Sequence, residues 1–230
     1  MNELLLNSAY FGVVLSLAGY GIGLWLKKRY KSAIFNPLLI SIVFVISILL
    51  IFGISYESYN SSAKYLSWLL TPATVSLAVP LYAQMETLRK NLKAILISLA
   101  AGALASMGSI CAMAALFGIS HAQYVTLLPK SITMAIGTAL AEEFGGYPAI
   151  TVAVTILTGL IGNTCADSLC RLFRITDPAA KGLAIGASSH AIGTAKAMEF
   201  GEVEGAMSSL AIVVSGLLTV IGASFFAMLW

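Results

Sequence analysis

The sequence predicts an all-α polytopic membrane protein, with about six full spans plus two broken or re-entrant segments arranged as an inverted repeat. Three observations carry this. Asp, Glu, Lys and Arg make up 10% of the 230 residues, against about 25% in ordinary soluble domains, and mean hydropathy is +0.92. Such a chain lacks the polar residues to coat a soluble surface. Six stretches, 4–26, 34–54, 65–85, 94–120, 147–166 and 205–230, are apolar and free of internal charge, near the roughly 20 residues that a helix needs to cross hydrocarbon. Two further stretches, 124–141 and 182–197, are apolar but interrupted by polar groups.

Basic residues orient the elements, because Lys and Arg in short loops stay on the cytoplasmic side. The N-terminal stretch does not read as a cleavable signal: Glu3 precedes the apolar run and the basic residues follow it. "KKRYK" (Lys27, Lys28, Arg29, Lys31) after the first span puts the N-terminus outside. The second and third spans bring Arg89, Lys90 and Lys93 inside. Arg171, Arg174 and Lys181 are inside if 124–144 enters and leaves from the outside. A broken crossing at 182–197 then sets "GEVEG" outside and the C-terminus inside. The chain reads as a single transmembrane domain, 1–230, with candidate repeats 34–120 and 145–230 of opposite orientation, the plan of many secondary transporters.

The chemistry sits in the interrupted middle members. In "LLTPATVSLAVPLY", Thr71 can cap a short helix with Pro72 at its first position, Pro80 removes a backbone hydrogen bond eight residues later, and Thr71 and Thr74 lie between the helix halves; freed backbone groups at membrane depth need a protein or cavity shelter. The plain alternative is a kink in a lipid-facing helix. "LLPKSIT" places Pro129 before Lys130 and Ser131, and "GASSHAIGTAK" supplies Gly186, Ser188, Ser189, His190, Gly193, Thr194 and Lys196. Half-helix amides, hydroxyls and a lysine suit a small carboxylate, and intramembrane ionisable groups usually line a path. Each residue also has a plain reading. Lys130 could snorkel, His190 could be a satisfied core residue, and Lys196 could neutralise Glu199. Glu142 and Glu143 read as a solvated edge. Cys111, Cys165 and Cys170 read as small packing residues. No G-x-S-x-G elbow, metal-type spacing, P-loop or dinucleotide fingerprint is present. The expectation is a non-enzyme with no cofactor, no metal and no nucleic-acid partner.

"NPLLI", "TPATVSLAVPLY", "LLPKSIT", "GGYPAITVAVTILTGLIG" and "KGLAIGASSHAIGTAKAMEFGEVEGAMSSLA" resemble the LrgB/CidB family from about Asn36 to the C-terminus. The resemblance implies a multi-pass protein of the bacterial cytoplasmic (inner) membrane with a small LrgA/CidA-type membrane partner. It implies either of two roles. One is a carrier of small monocarboxylates of the glycolate, glycerate, pyruvate or lactate type, as implicated for relatives that include a plant plastid member. The other is a holin/antiholin-like effector regulating murein hydrolase activity and cell lysis. In the family "PKS" is followed by "VTTPIA"; here Met134 and Ala135 replace the second Thr and the Pro. The carrier is the leading expectation, working by alternating access with Thr71, Thr74, Lys130, Ser131, Ser188, Ser189, His190, Thr194 and Lys196 as its site. The effector would associate through small-residue faces such as "GALASMGS" and "GLIGNTC", which also suit a homo-oligomer or packing within the chain.

Overall fold

A computed structural model describes residues 10–30, 35–69, 72, 75–76, 78–83 and 85–230. These are helical, with no strand among the described residues. The chain divides into two compact units, Met1–Ser76 and Leu77–Trp230.

The first unit holds α1 (Phe11–Tyr30), α2 (Pro37–Ile51) and α3 (Tyr56–Trp68). Asn36 caps α2, accepting from Leu38 N at 2.9 Å ahead of Pro37, and Ser55 caps α3. Glycines on α1 let both neighbours approach: Gly19 lies against Ser41 and Phe44, Gly23 against the Pro37 backbone, and Gly12 against Tyr59 and Ala63. The Gly12 amide donates to Ser62 Oγ at 2.6 Å, and Ser16 Oγ and Tyr59 Oη share a 2.8 Å hydrogen bond. The apolar helix α2 covers 15 residues, less than the expected span 34–54.

The second unit begins with α4 (Ala78–Ala83) and α5 (Met85–Lys90) and is built around α6 (Leu92–Phe117), α9 (Pro148–Leu172) and α11 (Glu202–Ala227). Among the described residues these last three are long and apolar enough to cross a membrane, and they match the expected spans 94–120, 147–166 and 205–230. The stretch 65–85 does not form one helix: α3 ends at Trp68, with Leu69 as its C-cap, and α4, which contains Pro80, covers Ala78–Ala83.

Helices α6 and α11 run parallel. Ile95 and Leu99 pack with Leu183, Met207 and Ala211 near their starts, whereas Ala114 packs with Ala223 and Ala227 near their ends. Trp230 closes that second end, its Nε1 donating to Ile119 O at 2.7 Å while its own carbonyl lies 2.6 Å from His121 Nδ1. Helix α9 runs the opposite way, from Tyr147 beside Thr126 to Cys170 beside Lys181 and Phe200. Arg89, Lys90, Lys93, Arg171, Arg174 and Lys181 thus gather at one end, the basic end, and none of the unit's Lys or Arg residues lies at the Trp230 end.

Two helical hairpins fill the space between. The first is α7 (His121–Leu127), a turn, and α8 (Met134–Glu143). A reciprocal Ser120–Gln123 capping box starts it. It leaves and returns at the Trp230 end, since the Tyr147 amide, just past its exit, donates to Thr126 Oγ1 at 2.8 Å. The second is α10 (Pro178–Phe200), whose helix breaks at His190 (φ 42°, ψ −140°). Gly182 and Gly186 abut the Glu204 and Ser208 carbonyls of α11 on the way in. Thr194 Oγ1 meets Ser208 Oγ at 2.7 Å on the way back. Lys181 and Phe200, near its two ends, line one pocket at the basic end. This corrects the expected crossing at 182–197. The arms fold back because His190 adopts a left-handed φ and Gly193 fits against the Ile185 carbonyl. Both interrupted stretches therefore return to the end from which they start.

Candidate functional site

The hairpin tips meet α6 and α9 at a cavity of about 910 Å³ within the second unit. Its lining includes Ser106 of α6, Lys130 and Ser131 of the first tip, Thr158 and Gly162 of α9, and Ser188 and Ser189 of the second tip. It extends past Ala94, Ala180 and Asp177 at the basic end. Toward the Trp230 end the hairpin and helices close over buried Ala114, Tyr124, Val125, Leu128 and Leu140.

Lys130 is half-buried, and Nζ donates to Ser131 Oγ at 3.1 Å and Ser106 Oγ at 3.5 Å. The two hydroxyls lie 3.0 Å apart. Among the described residues no carboxylate pairs with this ammonium. Pro129, two residues beyond α7, opens the turn. Helix α8 follows Thr133, whose side chain makes no capping hydrogen bond, so the first amides of α8 are without a side-chain acceptor there. A helix start of this kind attracts negative charge.

The second tip is more completely bonded. Ser188 Oγ donates to Ala184 O at 2.8 Å and lies 3.1 Å from Ser189 Oγ. His190 is buried, and its Nε2 lies 3.0 Å from Thr155 O. A carbonyl only accepts, so Nε2 carries the hydrogen. Thr194 Oγ1 donates to His190 O at 3.0 Å, and Asn163 Nδ2 donates to Ile192 O at 2.7 Å. Gly162 sits directly against Ser189, and Gly159 against the His190 ring; a side chain at either would displace the tip. The Thr155 hydroxyl, fully buried, makes no hydrogen bond among the described residues.

Of the residues expected from sequence, the cavity brings together Lys130, Ser131, Ser188 and Ser189. His190 and Thr194 stand behind the second tip and do not line the cavity. Lys196 lies on the return arm, paired with Glu199 at 2.6 Å and 5.0 Å above the Phe200 ring, away from the cavity. Gly186 packs α10 onto α11, and Gly193 packs the tip. Thr71 and Thr74 lie outside the described residues, and Pro72 is helical and exposed. Sequence reasoning misses Ser106, Thr158, Gly162 and Asn163, which sit in stretches read as plain spans. The available signal was small and polar residues inside "GALASMGS" and "GLIGNTC".

Fold and site define a helical membrane protein with polar groups gathered at two helix turns inside an apolar frame. The comparisons with known proteins give its family. The chain belongs to the LrgB-like family, whose model matches residues 16–229. It is 38% identical over 213 residues to antiholin-like protein LrgB of Bacillus mycoides (strain KBAB4), covering 92% of this chain and 93% of that protein. The same identity and coverage hold for antiholin-like protein LrgB of Bacillus cereus (strain B4264). No solved structure matches significantly.

Proposed function

We propose that this protein is an antiholin-like effector of the bacterial cytoplasmic membrane, regulating murein hydrolase activity and lysis together with a small LrgA/CidA-type membrane partner. The observation that carries this reading is near full-length similarity to proteins named antiholin-like. The test is expression in a bacterium lacking its own relative, with and without the partner, while autolysis and murein hydrolase release are measured. Lysis kinetics indifferent to the protein in both backgrounds would refute it.

The cavity favours a second, compatible reading, a carrier of small monocarboxylates. Lys130 supplies a charge without a carboxylate partner among the described residues, and Ser106, Ser131, Ser188 and Ser189 supply hydroxyls. With the basic end in the cytoplasm, the cavity faces inward and Trp230 lies outside. Hairpin and helix together, 121–172 and 178–227, form two units of opposite orientation, an inverted pair suited to alternating access. The bounds differ from the 34–120 and 145–230 of the sequence reading. Uptake of labelled glycolate, pyruvate and lactate into liposomes, with and without the partner and at defined oligomeric state, tests it. No uptake above empty liposomes in either condition would refute the carrier and leave the effector standing.

A further inference from the structure

At the basic end, a second pocket of about 450 Å³ lies between the end of α9, the 173–177 connection and the base of the α10 hairpin. The residues lining it include Arg171, Arg174, Lys181 and Thr176, with Asp167 as the one carboxylate. Asp167 is already engaged by Arg171 at 2.8 Å. Three cations against one carboxylate leave the lining with an excess of two positive charges.

The backbone singles out Arg174. Helix α9 ends in a Schellman motif, with Ile175 N bonded to Cys170 O at 2.8 Å and Arg174 N to Arg171 O at 3.1 Å. Arg174 occupies the left-handed position of that motif, at φ 54°, where glycine is the usual residue. A long cationic side chain held in a conformation that disfavours it points to function rather than to folding. Beside it, Leu172 and Phe173 are 72% and 70% exposed, an apolar shelf where the helix leaves the hydrocarbon. Planar guanidinium groups with an ammonium and a hydroxyl match a phosphate better than a lone carboxylate. Basic pockets at cytoplasmic helix ends are places for anionic headgroups.

We propose that this pocket binds a phosphate group, of the kind borne by an anionic phospholipid, with the acyl chains along Leu172 and Phe173. Occupancy ties the end of α9 to both ends of the α10 hairpin through Arg174, Lys181 and Phe200. The site is separate from the Lys130 cavity and holds whichever function that cavity serves.

The test is thermal unfolding of the full chain in detergent with added phosphatidylglycerol, phosphatidylcholine or inorganic phosphate. Phosphatidylglycerol should raise the midpoint and phosphatidylcholine should not. Arg174→Gly suits the left-handed position, so its unliganded midpoint should be at least that of the wild type while its affinity for phosphatidylglycerol falls about tenfold or more. Adding Lys181→Gln should remove the remaining response. A response to phosphatidylglycerol and to phosphate supports a lipid headgroup site; a response to phosphate alone supports a phosphate site filled from solution. Equal responses to both lipids, or an undiminished response in Arg174→Gly, would overturn the proposal.

Discussion

Alanine at Gly162 is the most direct probe of how the second tip is held. A Cβ there would overlap Ser189 Oγ and lie 2.6 Å from Ser189 Cβ, about 1 Å inside ordinary contact. In an unobstructed helix Gly→Ala stabilises by about 0.5–1 kcal/mol, so the sign of the effect is informative. Overpacking of this kind costs about 1–3 kcal/mol. For a domain of this size that corresponds to a fall of about 2–12 °C in the unfolding midpoint. Ser189→Gly removes both colliding atoms and should restore the midpoint in the double variant, whereas Ser189→Ala keeps Cβ and should restore less. The measurement is thermal unfolding of the detergent-purified single and double variants, read as a double-mutant cycle. A Gly162→Ala protein that melts at or above wild type, with no coupling to Ser189, would refute the packing of the tip against α9.

Three further outcomes are expected. Lys130→Gln removes the cavity's unpaired cation and should weaken apparent carboxylate affinity in liposomes about tenfold to a hundredfold; Lys196→Gln, which loses a partly exposed pair with Glu199, should change it less than threefold, roughly the scale of such pairs. In a background without native cysteines, Trp230→Cys should label from outside and Gly201→Cys from the cytoplasm, and Trp230→Cys labelling only from inside would reverse the orientation. Thr155→Val removes a buried hydroxyl that has no partner among the described residues, so stability should rise by up to about 1–3 kcal/mol and the unfolding midpoint with it; a fall would show that the hydroxyl is bonded.

The long apolar runs were legible because a period-free stretch of span length has few alternatives once charge is scarce. Helices also start at Asn36–Pro37 and Asp177–Pro178, each a cap followed by proline, a local signal that the span bounds at 34 and 182 did not use. The fold-back of α10 was not legible. "SSHAIG" contains no proline, and the left-handed residue is His190 rather than either flanking glycine. What fixes the turn is tertiary: Thr155 O holds the imidazole, and Gly159 and Gly162 on another helix leave room for it. Lys130 and Ser131 could be nominated from sequence because a lysine inside an apolar stretch is costly there. Ser106 could not, since nothing local says which face of α6 a serine takes.

The two tips divide the polar work unequally. At the second, each of the bonds around the break already has its partner: His190 to Thr155, Thr194 to His190, Asn163 to Ile192. A carbonyl or amide bonded in this way has little left to offer a ligand, and its role is to hold Ser188 and Ser189 in place. At the first tip the bonds are short-range turns, Lys130 N to Leu127 O at 3.1 Å and Ile132 N to Pro129 O at 3.3 Å. Beyond them stand a lysine whose side-chain contacts are to hydroxyls and a helix start without a side-chain cap. An unpaired charge in a low-dielectric setting is expensive to keep, so it is tolerable where an anion can approach it. On the carrier reading proposed above, the first tip is where a carboxylate would be held, and the second is the wall against which it would be placed.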